Sequence, residues 1–315
     1  MLCAIRAFFA SRGVMEVETP LLMPHTVTDP YIDSIAVQYQ QQTLYLQTSP
    51  EYAMKRLLAA GSGPIYQISK AFRHDEVGRL HNPEFTLLEW YRPGFDHHQL
   101  MDEMDQLLST VAQTNSALRI SYQQCFLDHL QIDPFALSLN ELQQQVRQHH
   151  LFSGDIKALD ADTCCQLLLN GLIEPQLGLT APVFLYDFPP SQAALARIRH
   201  DQPPVAERFE LYINGIEIAN GFHELADATE QHQRFLVNQG QRRLHNKAVP
   251  EIDQTLLAAL RHGLPQCAGV ALGVDRLLMV TNGYRHLADA VAFLTPSKYD
   301  VGADEFDNDV CHTDQ

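Results

Sequence analysis

Fifteen residues, Phe72-Arg73-His74-Asp75-Glu76-Val77-Gly78-Arg79-Leu80-His81-Asn82-Pro83-Glu84-Phe85-Thr86, gather arginines, histidines, aromatic rings and carboxylates ahead of the apolar run Leu87-Leu88-Glu89-Trp90-Tyr91. Arg73 and Arg79 carry the forked, permanently charged donors that grip phosphates. Phe85 offers a flat face to a base, and Glu89 and Tyr91, two apart in a strand, would share one face. A strand–loop–strand of this kind would hold a nucleoside triphosphate beside a small cationic substrate. The same spacing also fits a surface hairpin of mixed charge.

Two further segments favour the first reading. In Gly269-Val270-Ala271-Leu272-Gly273-Val274-Asp275-Arg276-Leu277-Leu278-Met279-Val280, small residues at every second position let the backbone approach a ligand. The apolar run after Arg276 reads as a buried helix. An arginine at a helix start opposes the dipole, so a ligand explains Arg276 better than capping does. In Glu207-Arg208-Phe209-Glu210-Leu211-Tyr212-Ile213-Asn214-Gly215-Ile216-Glu217-Ile218-Ala219-Asn220-Gly221-Phe222-His223-Glu224, alternating apolar residues flank the hairpin signal Asn214-Gly215. A strand would turn Glu210 and Glu217 to opposite faces, so the turn is expected to reset the register. The alternative for these glutamates is a solvated strand face.

Several elements must position these segments. Residues 2–12 read as a helix with Ile5, Phe8, Phe9 and Arg12 on one side, followed by a strand over 14–17 that ends at Thr19-Pro20. Residues 31–46 are strand-like with a polar Gln40-Gln41-Gln42 tip, and Ser49-Pro50 starts a helix through Leu58. Helices are expected over 98–113, from Ala226 to about Arg243, and from Asp253 to His262. The stretch 116–205 is helix-rich and poor in motifs.

Bulk properties narrow the function. The chain has 315 residues, 45% of them hydrophobic, enough for a large core, with no apolar run long enough to span a bilayer. No signal peptide precedes the first helix, so a cytoplasmic protein is expected. The net charge of −16, from 22 basic and 38 acidic residues, disfavours a large nucleic-acid footprint and suits a protein acceptor. The six cysteines lack paired spacing and read as reduced thiols, with Cys164-Cys165 as core filler. The pairs His97-His98 and His149-His150 read as solvated. No P-loop or GxGxxG signature is present.

Together the segments resemble the motifs of class II aminoacyl-tRNA synthetases, in the lysine branch. Phe8 to Pro20 resembles motif 1, the Arg73 loop motif 2, and Gly269 to Arg276 motif 3. Ser49-Pro50-Glu51-Tyr52 and Glu217-Ile218-Ala219-Asn220-Gly221-Phe222 match the lysine-specific segments, and Phe184 to Gln192 resembles the family's strand end. The subgroup that fits best is the stand-alone paralogues that attach (R)-β-lysine to elongation factor P. His81 to Thr86, Leu88-Glu89-Trp90-Tyr91-Arg92-Pro93 and Gly221-Phe222-His223-Glu224 carry that match. The anticodon-binding barrel that a full lysyl-tRNA synthetase carries ahead of motif 1 is expected to be absent. Met1 falls late in the motif 1 helix, which is compatible with a longer natural start.

The resemblance implies an α+β class II catalytic fold, an antiparallel sheet flanked by helices. It would cover residues 1–296, with the insertion at about 116–205, and an acidic, disordered tail would occupy 297–315. It implies ATP and Mg²⁺, a homodimer paired through motif 1, and no stable tRNA binding. Arg73 would hold the substrate carboxylate against the α-phosphate. Phe85 and Arg276 would sandwich adenine, with His74, Asp75, His81, Asn82, Glu217, Ile218 and Gly273 completing the nucleotide site. Glu210 and Glu217 would coordinate Mg²⁺. Glu224 with Tyr91 would take the side-chain ammonium and Glu51 with Glu89 the second amine. Ser49, Pro50, Asn220, Phe222 and Ala271 would complete the wall. The family's glutamate two residues after the motif 2 arginine is Asp75 here, followed by Glu76. Two other readings fit the motifs: a lysyl-tRNA ligase without its anticodon domain, and an inactive paralogue that senses amino acid or ATP.

Overall fold

The structure is a computed structural model that describes residues 1–74 and 77–295. Helix α1 (Leu2–Ala10) buries Ile5, Phe8 and Phe9, the i, i+3, i+4 stripe expected of it, and leads into the short strand β1 (Met15–Glu16). Three strands then form a small separate sheet: β2 (Leu22–Met23), β3 (Ala36–Tyr39) and β4 (Gln42–Leu46), in the order β2-β4-β3. Helix α2 (Glu51–Ala59) follows. Its first turn is fixed by Ser49 Oγ, which accepts from the Glu51 N–H at 3.1 Å.

The main sheet begins with β5 (Ile65–Phe72) and β6 (Glu84–Pro93), the two arms of the Arg73 loop. Helix α3 (His97–Ala112) starts on a capping box between Asp96 and Gln99. Next come β7 (Leu118–Ser121), α4 (Tyr122–Leu130), α5 (Leu139–Gln148), α6 (Ala161–Leu168), β8 (Val183–Phe188) and β9 (Ile198–Arg199). The hairpin β10 (Val205–Ile213) and β11 (Ile216–His223) is followed by α7 (Ala228–Leu244), α8 (Gln254–Gly263), β12 (Cys267–Gly273) and α9 (Val274–Thr281). The sheet runs β1-β5-β6-β12-β11-β10-β8-β7, with β9 on β10. Its centre is antiparallel as expected, but the pairs β1/β5 and β7/β8 at its two margins are parallel.

Register assigns the two faces different work. On one face Leu88 pairs with Leu272 and Trp90 with Val270, and these join α1 and α3 in the largest core, where Phe9 stacks on Tyr66 at 4.5 Å. Gly221 lies in that layer because a Cβ there would come within 2.5 Å of the Phe209 ring. The opposite face carries the polar row Gln67–Glu89–Ala271–Asn220–Glu210 and, two residues along each strand, the row Ile65–Tyr91–Gly269–Phe222–Arg208. A second core joins α4, α5 and α6 to β8 and contains Cys164 and Cys165; a third packs α2 and α8 under Tyr91.

The turn Asn214-Gly215 has both residues at positive φ, 52° and 72°, as a two-residue hairpin requires. It does not reset the register. Glu210 pairs with Asn220 and Tyr212 with Glu217, so the shift falls between Leu211 and Tyr212, with Ile218 as the extra residue of a bulge. That bulge turns Glu217 onto the face of Glu210. Among the described residues, no helix is long and apolar enough to cross a membrane.

Candidate active site

The two polar rows define an anionic pocket at the β6–β12–β11 centre. Glu89 and Glu224 are 2% and 4% exposed, and Tyr91 OH donates to Glu89 Oε1 at 2.8 Å. Gly269 is what allows this packing, since a Cβ there would lie 2.2 Å from Tyr91 Cε1 and 2.6 Å from Glu224 Oε1. The protein's own side chains, rather than a ligand, therefore claim the space above Gly269. Above Gly273, by contrast, nothing comes closer than 3.7 Å, and that glycine lines an open cleft.

A lysine enters this pocket that the motif reading passed over. Lys55 Nζ lies 2.7 Å from Glu51 Oε1 and 2.6 Å from Glu224 Oε2, with its side chain 1% exposed. The expected pairing of acids changes accordingly: Tyr91 serves Glu89, while Lys55 bridges Glu51 and Glu224. The i, i+4 spacing of Glu51 and Lys55 on one helix was the available signal. Burial, then the charge of Glu51, pushes the Glu89 carboxyl up to about 8, with the Tyr91 hydrogen bond opposing. Burial also raises Glu224, against the opposing charge of Lys55. Glu89 Oε2 and Glu224 Oε1 remain buried without a well-formed hydrogen bond, and so does Asn220 Oδ1; the Ser49 hydroxyl is a further donor near the Glu89 carboxylate. Buried acceptors of this kind call for donors from a ligand.

Beside the pocket lies a cleft lined by Arg73, Leu80, His81, Asn82, Phe85, Thr86, Glu217, Ile218, Asn220, Ala271, Gly273 and Arg276, among others. It encloses about 750 Å³ of empty space, the open solvent at its mouth included. The Arg73 guanidinium lies 5.0 Å from the Phe85 ring centre. Arg276 reaches Leu80 O at 3.1 Å, Glu217 O at 2.9 Å and His81 Nε2 at 2.7 Å, which ties the loop to β11. Asn82 accepts from the Thr295 N–H at 2.9 Å, and the Thr86 N–H donates to Asp275 at 2.7 Å. Ala271 and Asn220 line the cleft and pair across the sheet in the row that also carries Glu89, so cleft and pocket adjoin.

At the cleft's β11 side stand Glu210 and Glu217. Glu210 accepts from Tyr212 OH at 2.6 Å and from Asn220 Nδ2 at 3.2 Å, and pairs with Arg208. Burial raises its carboxyl, Arg208 opposes, and the charge of Glu217 raises it further. A third acid joins them. Glu174 bonds Tyr212 at 3.1 Å and is pushed up to about 7 by burial and then by the charge of Glu210. No motif flagged Glu174, because it comes from the motif-poor segment and meets the others only through the fold. An oxygen-preferring divalent cation would relieve the repulsion between Glu210 and Glu217, but the three acids do not gather closely enough to share one ion, and among the described residues the group that does is His97, Glu207 and His223.

Several expectations change. His74 is exposed, its N–H donating to Asp33 O at 2.8 Å, and it does not line the cleft. Arg79 turns outward and donates to Arg285 O at 3.0 Å. Phe222 stands over Gly269 in register but packs toward the second core. Asp75 and Glu76, and the tail 297–315, lie outside the described residues. His149 and His150 are exposed as expected, whereas His97 is 1% exposed and sits 3.4 Å from Asp187. With Glu207 and His223 it forms a buried group whose ligand-type atoms lie within 4.8 Å of one another. Arg197 and Arg199 approach Glu207 to 3.0 and 3.7 Å and make it an ion-pair network.

A family model described as class II tRNA synthetases (D, K and N) matches residues 1–296. A protein of Hamiltonella defensa subsp. Acyrthosiphon pisum (strain 5AT), named elongation factor P–(R)-β-lysine ligase, is 49% identical over 299 residues, covering 93% of this chain and 92% of its own. Proteins of the same name from Pectobacterium carotovorum subsp. carotovorum (strain PC1) and from Salmonella typhi are each 50% identical over 301 residues, with the same coverage.

Proposed function

The chain belongs to the class II tRNA synthetases of the D, K and N branch, and from that membership and the site's geometry we propose that it activates (R)-β-lysine with ATP and transfers it to a lysine side chain of elongation factor P. The observation that carries the substrate is the pair of buried oxygens without a well-formed hydrogen bond, Glu89 Oε2 and Glu224 Oε1, beside a cleft bearing Arg73, Phe85 and Arg276. Two such acceptors suit the two ammonium groups of a diamino acid whose carboxylate points toward Arg73. The relatives' name agrees with this substrate.

In the first step the substrate carboxylate attacks the α-phosphorus, pyrophosphate leaves, and an aminoacyl-adenylate remains. Arg73 holds the carboxylate against the phosphate and stabilises the charge that builds there, by about 3 kcal/mol if it matches one oxyanion donor. Phe85 stacks on adenine, with Arg276 on its other side. Glu210 and Glu217, with Glu174 behind them, would hold Mg²⁺, which when bound neutralises phosphate charge. In the second step the acceptor amine attacks the activated carbonyl, AMP departs, and an amide forms. The enzyme supplies no nucleophile, because the adenylate is already activated.

A protein acceptor suits the charge of −16 better than tRNA does. The chain works in the cytoplasm as a homodimer joined through α1 and β1, where Leu2 and Met15 stand 41% and 50% exposed. The test is labelling: the purified chain, ATP and radiolabelled lysine isomers are incubated with elongation factor P or with tRNA. Label on elongation factor P from (R)-β-lysine is expected. Label on tRNA alone, or no pyrophosphate exchange with any isomer, would overturn the proposal.

A further inference from the structure

We infer that Lys55 is a built-in counter-ion that sets the amine pocket to two net negative charges, one for each ammonium of its substrate; this rests on the substrate class proposed above. The pocket holds two buried carboxylates, those of Glu89 and Glu224, a third, that of Glu51, at its partly exposed edge, and one buried ammonium. Lys55 takes one oxygen of Glu51 and one of Glu224, at 2.7 and 2.6 Å. Glu224 Oε1 and Glu89 Oε2 are left for the ligand. A substrate with two ammonium groups brings the buried charge to zero, whereas a monoamine leaves a carboxylate uncompensated, which is costly away from water.

The surroundings isolate this balance. Lys55 faces Glu51 on its own helix and Cys267 on β12, while Glu89 and Tyr91 on β6 face the same Glu51 and Glu224. From the end of β11 Lys55 meets Glu224, while His223 is turned to Glu207 at 2.8 Å. Helix α8 contributes only apolar Leu256, Leu257 and Leu260 to this core. Burial pulls the Lys55 ammonium down, but Glu224 and Glu51 hold it above its ordinary value, so it stays charged. Burial first, then nearby carboxylates, keeps the Tyr91 hydroxyl and the Cys267 thiol neutral at working pH.

Without Lys55, the complex with a diamino acid has one carboxylate too many and must keep a proton. Lys55→Met should therefore discriminate more strongly than the unaltered chain against a monoamine, which leaves two carboxylates uncompensated. Adding Glu51→Gln removes the excess charge and should restore the unaltered chain's discrimination. A lysine that merely supported the fold would weaken diamine and monoamine binding alike in both variants.

The experiment is calorimetric titration of the full chain with (R)-β-lysine and with 6-aminohexanoic acid, which lacks the second amine, at pH 8, with thermal unfolding as a check on folding. Lys55→Met should favour (R)-β-lysine over the monoamine by on the order of tenfold more than the unaltered chain does. Lys55→Met/Glu51→Gln should match the unaltered chain's preference. Glu51→Gln alone, which keeps Lys55, should shift preference toward 6-aminohexanoic acid by about tenfold. That variant decides the matter if Lys55→Met does not fold. An unchanged preference in Lys55→Met or in Glu51→Gln would overturn the role of Lys55. If the unaltered chain binds no diamino acid, the proposed function falls too, and the counter-ion role falls with it.

Discussion

Glu89→Gln should make the empty protein more stable while destroying its substrate binding. The carboxyl ordinarily titrates at 4.5 and in the fold is pushed up to about 8, by burial and then by the charge of Glu51, with only partial relief from Tyr91. A raised carboxyl is a group the folded state prefers to keep protonated. Its stabilising contribution is complete below pH 4.5 and is lost as pH rises to about 8, beyond which nothing further changes. At about 1.4 kcal/mol per pH unit, ionising Glu89 costs the unliganded fold up to about 5 kcal/mol. Glutamine keeps an oxygen for the Tyr91 hydroxyl, whose bond to Glu89 is 2.8 Å long, but never ionises.

Denaturant unfolding of both proteins at pH 5, 6.5 and 8 measures the difference. The two should agree at pH 5, and Glu89→Gln should be the more stable by several kcal/mol at pH 8. Glu174, also raised, titrates in both proteins and cancels in the comparison, whereas the charge of Glu224 helps to raise Glu89, so part of the difference belongs to that pair. Binding runs the other way. A dicationic substrate must expel the Glu89 proton, so affinity for the unaltered chain should climb with pH up to about 8, and proton release should be visible as a buffer-dependent heat. Identical pH slopes of stability in the two proteins would refute the reasoning.

Arg73→Ala should abolish ATP–pyrophosphate exchange with an unchanged unfolding temperature; near-normal exchange would remove Arg73 from the chemistry. Gly269→Ala should drive Tyr91 and Glu224 out of place, because its Cβ would fall 2.2 and 2.6 Å from their atoms. A loss of roughly 1–3 kcal/mol in stability and a raised KM for the amino acid are expected, with ATP binding intact by equilibrium titration. Ala271→Gly should raise adenylation of α-lysine by about tenfold or more, with less effect on β-lysine. Ala271 stands between Glu89 and Asn220 on the cleft wall, where on the proposed reading its methyl would crowd a substituent next to the substrate carboxylate; steady-state rates for both isomers decide the point, an unaltered preference removing Ala271 as the gate.

Local grammar explains which parts of the fold were legible. The α1 stripe, the Asn214-Gly215 turn and the start of α2 are set by neighbours within a few residues, and each stands close to its expected place. The antiparallel centre followed from the family resemblance, while the parallel margins depend on which distant strand reaches the sheet edge. His97 was misjudged for the same reason. Nothing beside it in sequence buries it; Asp187, Glu207 and His223 do so from β8, β10 and β11. The need to reset the register between Glu210 and Glu217 is legible in sequence, but the bulge at Ile218 meets it rather than the turn, since a turn is visible in sequence and a bulge is not.

The site divides along the same line. Arg73, Phe85, Glu89, Gly273 and Arg276 sit on contiguous motifs, and the strand register assembles their segments into one wall. The pocket's charge has no contiguous motif, because it sums over α2, β6 and the residue after β11. Three glutamates counted along the chain overstate the cationic charge the pocket can accept. The correction is Lys55, one helical turn from Glu51, which reads in sequence as an ordinary surface pair of small worth. Burial changes its meaning. With Lys55 1% exposed, its ammonium adjoins Glu224 as well as Glu51 and no longer faces water, so its charge must be met by protein or substrate. The number of ammonium groups the pocket can accept is therefore fixed by a residue that no motif contains.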